Sequence, residues 1–305
     1  MPPKWVLGLL GCLLFLLTGV THARAQDTAT QEADKRRAVL ARLPEDAAKR
    51  IFGLAAAPSA GTARPIGGYT KGCVAGAVQL PADGPNWQVM RPSRNRAWGH
   101  PGLIGFIKNL AAAAAQDAAW PGLLVGDMGQ PRGGPMLTGH ASHQIGLDAD
   151  IWLTPMPDRR LSPAERDEMS AINVVAADGD DIDPQVWRPE HRRLLETAAR
   201  SPNVERIFVN PAIKRALCRE AGTDRGWLHV IRPWWGHNYH FHVRLRCPPG
   251  AAECQNQAPP PPSDGCDDLA WWFTPEGRHP KPGPPARPIR LSQMPASCIA
   301  IAPLH

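Results

Sequence analysis

The chain reads as an α+β domain: a small antiparallel sheet carrying the site residues, flanking helices, and proline-rich arms tied down by disulfides. Three observations predict this class. Leu147–Leu153 and Phe241–Leu245 alternate with the two-residue period of strands. Gly102–Gln116 and Pro189–Ala199 have the length and composition of helices. Beyond Cys247 the sequence turns proline-rich, at Pro259–Pro262 and Pro280–Pro288, which suits extended arms.

Taken in order, the first 25 residues read as a secretory leader. Lys4 gives a positive start, Trp5–Leu17 is almost wholly apolar, and Ala23-Arg24-Ala25 offers small residues before a cut, expected after Ala25. Leu9-Leu10-Gly11-Cys12 superficially resembles a lipoprotein cleavage site, but Leu13–Leu17 continues the apolar run past it. Residues 26–64 form an N-terminal arm in which Arg37–Leu43 and Glu45–Phe52 are short amphipathic helices. Residues 65–248 have the texture of a compact domain, and 249–305 form its proline-rich C-terminal arm. Within the domain, Trp87–Met90 and Leu123–Asp127 read as strands. Ser162, Pro163 and Glu165 make a helix start in which a hydroxyl caps the first turn, proline fits it and a glutamate reaches back. Val204–Val209 and Phe241–Leu245 complete the strands.

Export gives the cysteines their meaning. Cys12 leaves with the leader, and Cys73, Cys218, Cys247, Cys254, Cys266 and Cys298 remain. In an oxidising compartment an even number reads as three disulfides, and without a C-x-x-C pair a cysteine-held metal is disfavoured. The net charge of +6 falls to +4 once Lys4 and Arg24 are removed, with no basic run or interleaved aromatics, which argues against nucleic acid as a partner.

The chemistry concentrates in two segments. One is Thr138-Gly-His140-Ala-Ser-His143-Gln-Ile-Gly-Leu-Asp-Ala-Asp150, the other Gly236-His237-Asn-Tyr-His240-Phe-His242-Val-Arg. On a strand, His240 and His242 share one face while Phe241 and Val243 take the other, so both imidazoles look into a cleft. A turn at Gly146 would return Leu147–Asp150 toward His143, but Asp148 and Asp150 lie on the same face and spacing does not choose between them. Imidazoles plus a carboxylate form the donor set of a hydrolytic zinc site, in which a fourth position stays open for water. Trp234 and Trp235 fit either the cleft or the core.

Those two segments resemble the penicillin-insensitive murein endopeptidases, zinc peptidases grouped with the lysostaphin-type and D-Ala-D-Ala-cleaving enzymes. The resemblance runs from Gly67 to Pro248, through Gln88–Arg91, Gly99–Pro101, Val125–Gly129 and Ile207–Lys214, and takes in all six remaining cysteines. It implies zinc held by His143, Asp150 and His242, with His140 as an additional ligand. It makes His240 the general base or oxyanion stabiliser, assisted by His237; Asp148, on the same strand face as Asp150, then suits the orienting of an imidazole or an arginine. It implies the disulfides Cys73–Cys298, Cys218–Cys266 and Cys247–Cys254. The substrate it implies is the D-alanyl to meso-diaminopimelyl cross-link of peptidoglycan in the periplasm. Independence from penicillin would follow, because no Gly-x-Ser-x-Gly elbow offers a serine to acylate.

One departure stands out. The family pattern holds a second zinc at a dimer interface through an aspartate and a histidine, and a homodimer is compatible with that pattern. Here Asp178 matches the aspartate but Asp181 stands where the histidine would be. Calcium is an alternative occupant of Asp178–Asp183, though the EF-hand spacing is missing and a solvated acidic loop accounts for it. Two alternative functions are a D,D-carboxypeptidase or dipeptidase acting on uncross-linked stems, and a non-catalytic wall-binding protein.

Overall fold

The computed structural model describes residues 30–303 except 282 and 284–286; the expected leader and the expected cleavage after Ala25 lie outside the described residues. A helix over 30–42 (α1) and Ala48–Gly53 (α2) precede a hairpin of Arg64–Gly68 (β1) and Lys71–Ala75 (β2). Short strands follow: Val78–Gln79 (β3), Asp83–Gly84 (β4), Trp87–Val89 (β5) and Trp98–Gly99 (β6). Next come Pro101–Ala114 (α3), Leu123–Val125 (β7), Asp148–Trp152 (β8), Pro163–Glu168 (α4) and Pro189–Ala199 (α5). The domain closes with Val204–Val209 (β9), Pro211–Glu220 (α6), Ile231–Pro233 (β10) and His240–Leu245 (β11), and the C-terminal arm carries Pro275–Arg278 (α7) and Ala296–Ala300 (α8).

The caps account for where the helices begin. α4 has the full reciprocal capping box between Ser162 and Glu165, with Pro163 in its first turn. α3 starts after His100, whose ring accepts the Gly102 amide, and α6 starts after Asn210, whose side chain accepts the Ala212 amide.

The main sheet has seven strands in the order β10-β9-β11-β8-β7-β5-β4. Its centre, β9-β11-β8-β7, is antiparallel, and parallel pairs β10/β9 and β7/β5 extend it on either side. The sheet is thus larger than the small antiparallel sheet expected and mixed at its flanks, while the two central strands that bear the site are antiparallel. One face is apolar: Ala149, Ile151, Phe241 and Val243 are fully buried and pack with Leu103, Ile107 and Leu194 from α3 and α5. Burying such side chains stabilises by about 1.5–3 kcal/mol each.

The two arms meet in a second, smaller core. Phe52, Ile66, Met294 and Cys298 pack together there, and Ala47 bridges to Arg290 across the sequence. Cys73–Cys298 closes this core, Cys218–Cys266 ties α6 to the arm, and Cys247–Cys254 closes a small loop after β11. Among the described residues no helix is long and apolar enough to cross a membrane.

Candidate metal centre

The polar face of the same two central strands builds the site. In the β8/β11 ladder His242 stands opposite Asp150, Arg244 opposite Asp148, and His240 opposite Trp152. Side-chain alternation sends Asp148, Asp150, His240, His242 and Arg244 to one side of the sheet, away from the apolar core. All five are nonetheless buried, and the loop from Thr138 to Gly146 brings His140 and His143 against Asp150.

That loop is held by its backbone. Gly139 and Gly146 adopt positive φ (82° and 71°), and so does His143 (65°), a conformation uncommon outside glycine. Gly146 has no room for a side chain, since an added Cβ would meet the His100 amide nitrogen at 3.1 Å and Val74 Cγ2 at 3.2 Å. His143 is retained in this conformation by Asp148, whose Oδ2 accepts its backbone N–H at 2.9 Å. Left-handed non-glycine residues persist where surrounding contacts over-determine them, often at functional sites.

The imidazoles converge on Asp150. His143 Nε2 is 3.4 Å from Asp150 Oδ1, His140 Nε2 is 3.5 Å from Oδ2, His242 Nδ1 is 3.6 Å from Oδ1, and His240 Nε2 is 3.7 Å from Oδ1. One donor atom each from His140, His143 and Asp150 lie within 4.8 Å of one another, a spacing that suits a shared cation. Both ring nitrogens of His143, Asp150 Oδ1, His240 Nδ1 and His242 Nε2 are buried without a hydrogen-bond partner. Such orphans are scarce in folded proteins and call for an explanation such as a bound ion. Buried imidazole plus carboxylate is a donor set suited to zinc and related divalent metals.

Electrostatics agree with that geometry. Burial opposes ionisation of Asp150, but His240, His140 and His143 outweigh it and hold its carboxyl well below the usual range. Burial lowers the pKa of His240 and of His242 to about 4, against the pull of Asp150 and Asp148 respectively, so both rings are neutral near pH 7. Neutral rings have the free lone pair that a metal or a proton needs.

Asp148 organises the surroundings. Besides the His143 amide it accepts Arg244 Nε at 2.8 Å and Nη2 at 3.2 Å, and His242 Nε2 lies 3.1 Å from its Oδ1, too bent for a full hydrogen bond. One carboxylate therefore braces the loop, the strand arginine and a site histidine together.

Asp127, just past β7, is the residue that sequence reasoning missed. Its Oδ2 accepts Arg94 at 3.0 Å and Arg96 at 2.9 Å and lies 3.1 Å from His140 Nε2. His140 is therefore shared between Asp127 and Asp150. The signal that could have found Asp127 is a carboxylate directly after the buried run Leu123–Gly126, where a strand end delivers it to the cleft. His237, also at positive φ (29°), leans on the Trp235 carbonyl through Nδ1 (3.1 Å), and its ring centre lies 5.0 Å from that of His240. A cleft of about 280 Å³ opens onto Asp127, His140, Asp150, Trp152, Tyr239 and His240. Of the two tryptophans, Trp234 is exposed beside Phe208, and Trp235 donates to the Gly277 carbonyl.

The acidic loop behaves differently. Asp181 is paired with Arg219 at 2.9 Å, Asp180 with Arg278, and Asp178 Oδ1 accepts the Asp180 amide. Among the described residues no second group of three metal-ligating side chains forms, and arginines occupy the Asp180 and Asp181 carboxylates.

The sequence profile of the penicillin-insensitive murein endopeptidases matches residues 65–302. Curated relatives bearing that description include one from Haemophilus influenzae, 53% identical over 224 residues that cover 73% of this chain and 76% of the relative. One from Yersinia enterocolitica is 47% identical over 81% of this chain and 88% of the relative. Another, from Klebsiella pneumoniae, is 45% identical over 81% and 89%.

Proposed function

The chain belongs to the penicillin-insensitive murein endopeptidase family, and from that premise we propose that it is a zinc-dependent hydrolase of D-alanyl-meso-diaminopimelyl cross-links, exported to the periplasm with its leader removed after Ala25. The observation that carries this reading is the convergence of His140, His143 and His242 on Asp150, with donor atoms of His140, His143 and Asp150 within 4.8 Å of one another. The proposed ligands are His143, Asp150 and His242, with His140 as the additional one. Bound there, zinc would bring the pKa of a ligated water to about 7 and polarise a peptide carbonyl.

The remaining roles belong to the protein's own groups. Asp148 orients His242 and fixes the loop that presents His143. His240 is neutral, lines the cleft and turns Nε2 to within 3.7 Å of Asp150 Oδ1, so it is fit to accept the proton of the attacking water. Once protonated it can hydrogen-bond the developing oxyanion and then give its proton to the departing amine as the C–N bond breaks. His237 stands beside it, its Nδ1 held by the Trp235 carbonyl and its ring centre 5.0 Å away, as the assisting residue. A serine nucleophile has no part in this scheme, which accounts for insensitivity to penicillin.

The test is digestion of purified cross-linked sacculi by the mature protein, with and without a zinc chelator and with His242→Ala as control. Conversion of cross-linked dimers to monomers that chelation and His242→Ala both abolish, and penicillin does not, is the expected result. Intact dimers alongside shortened monomeric stems would instead indicate a D,D-carboxypeptidase.

A further inference from the structure

Two arginines line the cleft beside the candidate metal centre, and their partners differ. Arg94 is committed: its Nη1 lies 3.0 Å from Asp127 Oδ2, an oxygen that Arg96 also holds. Arg91 is not. Its Nη1 donates to the backbone carbonyls of Arg166, at 3.1 Å, and Asp167, and its guanidinium carbon lies 5.4 Å from the Trp152 ring centre. All of these partners are neutral. The nearby Asp167 carboxylate is turned to Ser93, accepting its hydroxyl at 2.8 Å and its amide at 3.3 Å. Among the described residues, Arg91 Nε and Nη2 have no acceptor and the cation has no carboxylate partner.

The backbone around Arg91 is built to hold it there. Arg91 is left-handed (φ 56°, ψ 48°), and so is Asn95 four residues on (φ 52°, ψ 47°), on either side of the short 3-10 turn Pro92–Arg94. The Arg91 amide donates to the same Arg166 carbonyl that its side chain uses, at 3.2 Å, so α4 grips both ends of the residue. An arginine gains nothing locally from a left-handed conformation; it persists because surrounding contacts impose it, as happens at binding sites. Burial and then the neighbouring Arg94 pull its pKa down, against the opposing fields of Asp167 and Asp127.

We propose that Arg91 is the carboxylate-recognition residue of this cleft, its unused guanidinium edge taking a free α-carboxylate of the murein peptide beside the scissile bond. The planar fork of a guanidinium matches a carboxylate through two parallel hydrogen bonds. Arg94 is less suited, since Asp127 already offsets its charge. This inference rests on the endopeptidase reading. It deepens that reading by making the enzyme selective for stems whose carboxylate is free over stems in which it is amidated. Two carboxylates carry this chemistry: that of the diaminopimelyl residue whose amine is released, and the terminal one of a peptide stem.

The test separates binding from turnover. Affinities of chelator-treated, full-length mature protein are measured by calorimetry for three cross-linked muropeptides: the native one, one amidated at the diaminopimelyl carboxylate beside the bond, and one amidated at the stem terminus. Wild type is expected to lose roughly tenfold or more in affinity for one of the two amides, and which one identifies the source. Arg91→Gln should bind the native form and that amide equally. Arg91→Lys, which keeps the charge without the fork, should retain only part of the preference, and it serves as the test if the glutamine variant melts early. Equal binding of all three by wild type, or a preference that survives Arg91→Gln, overturns the proposal. Failure of the endopeptidase reading looks different: the carboxylate preference stands in metal-free protein while sacculi remain uncut.

Discussion

The two histidine segments reach the same point by opposite means. His240 and His242 are placed by a strand, where alternation and the β8/β11 register determine direction and depth and the ladder hydrogen bonds support them on both sides. His140 and His143 are placed by a loop with three left-handed residues, and Asp148 secures His143 through its backbone amide. A strand-borne group is specified many times over, so its position survives the loss of one contact. The loop-borne group depends on a few contacts, and losing one of them should release it.

The largest expected effect tests the strand half. His242→Ala should lower the cleavage of cross-linked muropeptides by more than about 10³-fold, since a metal ligand supports several kcal/mol of catalysis at about 1.4 kcal/mol per factor of ten. Circular dichroism should show the fold intact. His140→Ala should cost less, because His140 Nε2 is already shared with Asp127. Equal losses would break the comparison.

Asp148→Asn tests the brace between the halves. It leaves Arg244 buried beside a neutral partner and loosens His143 and His242, so zinc affinity should drop by about 10–100-fold and stability by about 3–5 kcal/mol. Zinc titration and denaturant unfolding of the apo-protein read the two separately. A change in stability alone would remove Asp148 from the site.

Smaller effects sharpen the loop half. Gly146→Ala should cost about 1–2 kcal/mol through its positive φ, together with the close contacts to His100 and Val74. Gly139→Ala, whose Cβ would meet only Arg96 Nη1 at 3.6 Å, should cost about 1 kcal/mol. Denaturant midpoints would rank them, and the reverse order would mean that packing does not limit this loop.

A last perturbation lies outside both halves. Lys214 is fully buried, donates to the Leu228 and Asp264 carbonyls, and has its pKa lowered from 10.5 to about 7 by burial, with Arg232 adding to it. A lysine whose folded pKa is depressed carries its full penalty below pH 7 and sheds it as pH rises toward 10.5, since the unfolded chain then holds more protons. Stability of wild type relative to Lys214→Met should therefore rise by about 1–2 kcal/mol between pH 7 and pH 9, with cleavage unaffected. A difference that stays flat with pH would show that this lysine titrates normally.

Local signals in the chain reached far in this protein. The capping box at Ser162 and Glu165, and the span of the helix from Pro189 to Ala199, follow from residue types a turn apart, and both are present. The Asn210-Pro211 pair carries a cap and a first-turn proline in the same way, and α6 starts there. Asp127 had no periodic signal at all, being one carboxylate after a short apolar run.

By itself, the sequence determined that His240 and His242 share a face of their strand and that Asp148 and Asp150 share a face of theirs, because strand side chains alternate with a period of two. The same period leaves Asp148 and Asp150 equivalent. The family resemblance favours Asp150, and the tertiary structure gives the two different partners, since packing of Ile151 and Val243 into the core sets the register that faces Asp150 with His242 and Asp148 with Arg244. Register is a relation between two strands far apart in the chain, and a pattern within either strand carries no information about it.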